Sequence, residues 1–143
     1  IFASSRKVRF HESEYALPLD AAVPALKAIQ ARIAEKRYRV HFPVEVRFGA
    51  ADEGWLSLSH GRESCYIAVH MAQGMDFSEY FADMEAIFSE FDGRPHWGKR
   101  HSLSAGELSR LYPRFDDFQS LRAAFDPGMT LLNPYLRRLV SAA

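Results

Sequence analysis

The sequence predicts an α+β fold: an antiparallel sheet with helices on one face, in the order β-α-β-β-α-β, followed by a helical C-terminal extension. Three observations lead there. Residues 44–48 alternate between apolar and charged, and residues 65–71 form an extended, almost wholly apolar run, the signatures of a half-buried strand and a more central one. Amphipathic helical stripes flank them, over 23–33 and 77–91. From residue 104 onward the punctuation signals helices alone. Each stripe needs an apolar surface to bury against, which places the helices on one sheet face and leaves the opposite face for a partner.

Taken in order, residues 7–18 (KVRFHESEYALP) read as a somewhat irregular strand stopped by Pro18. Asp20 is placed to cap the helix that follows, where Val23, Leu26, Ile29 and Ile33 recur at helical spacing and Pro24 is tolerated in the first turn. That helix should end near EKRYRV. In PVEVRF, Val44, Val46 and Phe48 point one way, Glu45 and Arg47 the other. WLSLS (55–59) reads as a short strand and CYIAVHM (65–71) as a central one. Asp76 opens the clearest helix, with Glu79 at capping-box spacing and a core stripe of Phe77, Tyr80, Phe81, Met84, Ile87, Phe88 and Phe91. DGRPHW leaves it through a glycine turn into an extended segment. Of the two shorter helices beyond, one is capped by Ser104 with Glu107. The other runs through Phe115, Phe118, Leu121 and Phe125 to the stop DPG. The tail LLNPYLRRLV is apolar enough to pack back on the body. No repeat, low-complexity tract or linker divides residues 1–143, so they read as one domain.

Composition removes several function classes. Eighteen Lys and Arg balance eighteen Asp and Glu, so overall charge offers nothing to nucleic acid or an acidic membrane. The single cysteine, Cys65, allows no intrachain disulfide and no thiolate metal cluster, and its apolar setting marks a buried small hydrophobe. No apolar segment approaches the roughly 20 residues of a membrane span. The opening IFASSRKVRF lacks the apolar centre of a signal peptide, and a cytoplasmic location is expected. It begins with Ile rather than Met, which suggests a fragment of a longer chain. The histidines at 11, 41, 60, 70, 96 and 101 show no metal-binding spacing, and no phosphate loop, dinucleotide fingerprint or serine-nucleophile elbow is present. No metal site is expected.

Two places could carry chemistry. Glu45 and Arg47 share a strand face about 6–7 Å apart. They are either an ordinary surface ion pair or a carboxylate and guanidinium lining a polar pocket, where the first accepts from substrate hydroxyls and the second fixes negative charge. GRPHWGKRH, residues 93–101, combines His96, Trp97, Gly98 and Lys99. Read blandly, it is a buried Trp anchoring a basic loop; read functionally, it delivers imidazole and ammonium groups to a site.

HESEYALP, PVEVRF, RPHWGKRH, YPRFDDF and DPGMTLLNPYLRR occur in that order. Together they resemble the C-terminal region of the sugar-lactone and alditol oxidases of the vanillyl-alcohol-oxidase flavoprotein superfamily, from about Phe10 to Arg138. The resemblance implies a substrate or cap domain of an FAD-dependent oxidoreductase, with the FAD-binding domain N-terminal to it and none of the six histidines linked to flavin. The family's Glu-x-Arg pair falls on Glu45 and Arg47, the lysine of its His-Trp-Gly-Lys motif on Lys99, and a histidine after the central strand on His70. By this resemblance Glu45, Arg47 and Lys99 are catalytic, and His70 and His96 join them in binding a sugar lactone or polyol. Arg47, His96, Trp97 and Lys99 lie beside the flavin, Trp97 as pocket wall or loop anchor. Arg47 and Lys99 would stabilise the reduced flavin after hydride reaches N5, and the proton would pass to Glu45 or His96. The alditol oxidases carry a hydroxyl residue where this chain has Ala72, which favours a lactone over a xylitol-type substrate. The alternative is a freestanding βαββαβ small-molecule-binding module without catalysis.

Overall fold

The computed structural model describes residues 7–140. Strand β1 spans Phe10–Pro18 and ends where Pro18 can no longer donate to the ladder. A 3-10 turn, Leu19–Ala21, leads into α1, Ala22–Lys36, which admits Pro24 in its first turn and stops with Arg37 in the left-handed region. Then come β2 (Glu45–Gly49), β3 (Ser64–Ala72), α2 (Ser78–Glu90) and the two-residue β4 (Arg94–Pro95). Three short helices follow: α3 (Ala105–Leu111), α4 (Phe115–Phe125) and α5 (Pro134–Val140). The strands form one antiparallel sheet in the order β2-β3-β1-β4, so the predicted α+β class and element order are those of the structure.

Strand alternation sorts the side chains into two sets. Tyr15 and Leu17 of β1 and Cys65, Ile67, Val69 and Met71 of β3 join Ala25 and Ile29 of α1 and Tyr80, Met84 and Phe88 of α2 in one buried core. Tyr15 stacks on Phe88 with ring centroids 4.9 Å apart. At roughly 25 cal/mol per Å² of apolar surface, this layer is the main stabilising contribution. The C-terminal helices and the segments joining them add Leu103, Leu108, Tyr112, Phe115 and Leu139 to the same core, so the tail does pack back on the body. The α3 capping box is formed: Glu107 N–H donates to the Ser104 hydroxyl at 3.4 Å and Ser104 N–H to the Glu107 carboxylate at 2.7 Å.

Several local expectations are corrected. WLSLS is not a strand; its neighbourhood is a run of turns with one bridge, Asp52 to His60. The cause is Asp52, whose carboxylate accepts from Gly54 N–H at 2.8 Å and the Ser57 hydroxyl at 2.5 Å and folds the segment on itself. Asp20 lies inside the 3-10 turn and does not cap α1, whose N-cap is Ala21 with no side-chain bond. Asp76 accepts from Ser78 N–H at 2.9 Å, and Phe77 takes the N-cap position of α2 with no side-chain bond; Glu79 instead pairs with Lys36 of α1 at 3.0 Å. Phe48 is 68% exposed because β2 is the edge strand and its end is left uncovered. Along α4 only Phe115 is buried, and Phe125 is 84% exposed.

Candidate functional site

On the sheet face opposite α1 and α2, the register lines up polar side chains from three strands. Glu12 lies across from His70; Glu14, Ala68 and Glu45 form the next row; Ala16, Tyr66 and Arg47 the one after. The predicted Glu45–Arg47 pair is real, with Arg47 Nε 3.2 Å from the Glu45 carboxylate. Arg47 also reaches across β3 to form an ion pair with Glu14, a residue only 2% exposed, while its own side chain stays 55% exposed. Its Cζ sits 5.7 Å from the centre of the Tyr66 ring, and that ring's hydroxyl is hydrogen-bonded to Ser59 at 2.6 Å.

The segment after β4 brings the second cation. His96 N–H donates to the Glu14 carbonyl at 2.9 Å and Arg100 N–H to the Glu12 carbonyl at 2.9 Å, so residues 96–100 run along β1. Between them Lys99 Nζ pairs with the Glu12 carboxylate. The other oxygen of Glu12 lies 3.5 Å from His70 Nε2. The His70 ring is held edge-on by Phe10 at 5.0 Å, and its buried Nδ1 has no hydrogen-bond partner among the described residues. Gly98 permits the bend: its N–H donates to His96 Nδ1 at 3.0 Å, and a Cβ there would meet the His96 ring at 3.2 Å. An open hollow of about 380 Å³ lies over this end, lined by Phe10, His11, Glu12, Gly98, Lys99 and Arg100.

Trp97 faces the other way. It lies between Tyr112 and Phe115, with its Nε1 donating to the Tyr112 hydroxyl at 3.1 Å and its carbonyl accepting from the Tyr135 hydroxyl at 2.7 Å. Burial pushes the Tyr112 hydroxyl up to about 12, so it stays protonated and donates to the Pro95 carbonyl at 3.2 Å. Arg94 completes the frame: its guanidinium donates to the carbonyls of Leu111, Leu58 and His60 at 3.0, 3.2 and 2.7 Å. The 94–100 segment is thus fixed from both sides, by β1 and by the C-terminal helices.

Glu45, Arg47, His70 and Lys99 therefore meet on one face, with His96 beside Glu14, and Trp97 anchors the segment that carries Lys99. What the residue reading missed is the pair of carboxylates that joins them, Glu12 and Glu14. The signal was present in HESEYALP: acidic residues two apart at the start of a strand share a face, and the apolar residues after them place that strand mid-sheet. Chemically the face offers guanidinium and ammonium donors, an imidazole and the carboxylates of Glu12 and Glu45, a set that can grip several hydroxyls and a ring edge bearing negative charge. Among the described residues no group of three His, Cys, Asp or Glu is arranged to hold a metal ion.

Residues 1–139 match the model of the family described as D-arabinono-1,4-lactone oxidase. The chain belongs to that family. It is 44% identical over 140 residues to the L-gulono-1,4-lactone dehydrogenase of Mycobacterium tuberculosis, a match covering 98% of this chain and 33% of that protein. It is 33% identical over 144 residues to the L-gulonolactone oxidase of Mus musculus, covering 97% and 33%. An alditol oxidase from Streptomyces sp. is 39% identical over 132 residues, covering 90% of this chain and 31% of that enzyme. The chain thus spans about a third of the length of these curated relatives of the D-arabinono-1,4-lactone oxidase family. No helix among the described residues is long and apolar enough to cross a membrane.

Proposed function

We propose that residues 1–143 are the substrate-side cap domain of an FAD-dependent sugar-lactone oxidoreductase, with FAD held mainly by an N-terminal domain of the same polypeptide. One observation carries the reading: Glu45, Arg47, His70 and Lys99, drawn from three separate parts of the chain, converge on the one sheet face that α1 and α2 leave uncovered. Family membership and the one-third share of the relatives' length support it.

The residues suit a flavin ring at this face. Arg47 and Lys99 present cationic N–H donors, and the half-exposed Arg47 and Glu45 leave room for a ring and a small sugar between domains. Bound flavin would supply the acceptance of two electrons from a C–H bond. Arg47 and Lys99 would hold the negative charge of the reduced ring through oriented N–H donors. Glu45 accepts from sugar hydroxyls and keeps the reacting carbon in place. The hydroxyl proton passes to Glu45 or to His96. Ala72 shares the face of His70, and its methyl group offers no hydrogen bond to an extended polyol, which favours a cyclic lactone.

The test is anaerobic mixing of the full-length, FAD-loaded protein with L-gulono-1,4-lactone. The flavin absorbance should bleach, and Glu45→Ala and Arg47→Ala should each slow turnover at least about tenfold with FAD retained. Near-wild-type turnover in both variants would remove the assignment.

A further inference from the structure

We propose that Glu14 is the positioning residue of this site: it acts through Arg47, fixing where that guanidinium points, and this rests on the reading that Arg47 faces the flavin. Glu14 cannot touch a ligand itself, since it is 2% exposed and lies beneath Arg47. Its main chain and its side chain nevertheless hold two arms of the site together. The carbonyl accepts from His96 N–H at 2.9 Å, and the carboxylate pairs with Arg47 Nη2.

Arg47 stands one row beyond Glu14–Ala68–Glu45, opposite Tyr66, so its side chain crosses β3 diagonally to reach Glu14 on β1. Two strand spacings and a two-residue step along the strand make that diagonal about 12 Å, which the arginine and glutamate side chains span together only if nothing stands in the path. The path runs between Tyr66, whose ring centre is 5.7 Å from the guanidinium carbon, and Ala68, buried at 2% exposure with a single methyl group. With Nη2 held by Glu14 and Nε 3.2 Å from Glu45, the planar fork is fixed at two points and its Nη1 side is left for a ligand. Without Glu14, the partner left to Arg47 in this pair of contacts is the half-exposed Glu45. The guanidinium then swings towards solvent and occupies the carboxylate that should receive the sugar.

Positioning and simple charge make opposite forecasts, which makes the claim testable. Glu14→Gln removes a negative charge. If charge alone mattered, the flavin would become easier to reduce and its reduction potential would rise. If Glu14 acts by placing Arg47, the potential falls, as it does when Arg47 is removed. Ala68→Val keeps the charge of Glu14 and blocks the path of Arg47, and valine suits a strand.

The experiment measures the flavin reduction potential and steady-state kinetics of the full-length, FAD-loaded protein as wild type, Arg47→Ala, Glu14→Gln and Ala68→Val. The expected result is a lowered potential in all three variants, with kcat reduced about tenfold or more. A potential that rises or stays fixed in Glu14→Gln and Ala68→Val, while Arg47→Ala lowers it, overturns the positioning role alone. A potential unmoved by Arg47→Ala overturns the functional reading beneath it. Should Glu14→Gln fail to fold, Ala68→Val decides by the same sign.

Discussion

Replacing Arg94 by methionine tests the frame that carries Lys99. The guanidinium serves three carbonyls, those of Leu111, Leu58 and His60, and lies 5.7 Å from the Tyr112 ring centre. Each of these part-buried carbonyls left without a donor costs about 1 kcal/mol, roughly 3 kcal/mol together. Against this stands the cost of burying the charge. Burial holds the Arg94 guanidinium below its usual value, and burial together with the Arg94 charge pushes Arg62 down to about 10. Methionine relieves both, so the net loss should fall at about 1–3 kcal/mol. Hydrogen exchange reads it locally in the full-length protein. The amides of His60, Gly61 and Arg62, bonded to Ser57, Asp52 and Ser59 carbonyls, should exchange about 5- to 150-fold faster. Unchanged exchange there would show that the Asp52 turn holds this loop without Arg94 and would refute the reasoning.

Ser104→Ala should cost α3 about 1 kcal/mol through loss of its cap, read as faster amide exchange over Ala105–Leu111. The hydrogen bonds from Ser104 hold the Glu107 carboxyl below the usual carboxylate range. Its folded value is below its unfolded one, so the box contributes fully above about pH 4.3 and its contribution is lost as pH falls through the folded value. Glu107→Gln should flatten that acid-side decline in α3 exchange protection, and an unflattened decline would place its origin elsewhere. Gly93→Ala would put a Cβ 2.7 Å from the Phe88 carbonyl oxygen; a shift of α2's last turn costing about 1–3 kcal/mol should appear as loss of protection at Phe91 and Gly93. Wild-type protection would mean the turn relaxes freely.

The fold was legible because its periodicities are strong: CYIAVHM and the Phe77–Phe91 stripe each admit one reading. Errors arose where a single side chain redirects the backbone. Asp52 makes WLSLS a set of turns, and Asp76 bonds Ser78 instead of boxing with Glu79, which is taken by Lys36 of another helix. Phe48 and Phe125 have core-like spacing but lie where nothing among the described residues covers them. In the site, Glu45 and Arg47 could be placed on one face from spacing alone. That Arg47 pairs with Glu14, 33 residues away in sequence, depends on strand order and on Ala68 being small, and no local pattern encodes strand order.

The most direct test of the central claim is a crystal structure of the full-length, FAD-loaded protein with a bound sugar lactone. The isoalloxazine ring should lie over the sheet face opposite α1 and α2, within hydrogen-bonding reach of Arg47 and Lys99, with the lactone hydroxyls on Glu45. A ring seated against α4 or on the helical side, with Arg47 and Lys99 turned to solvent, would contradict it.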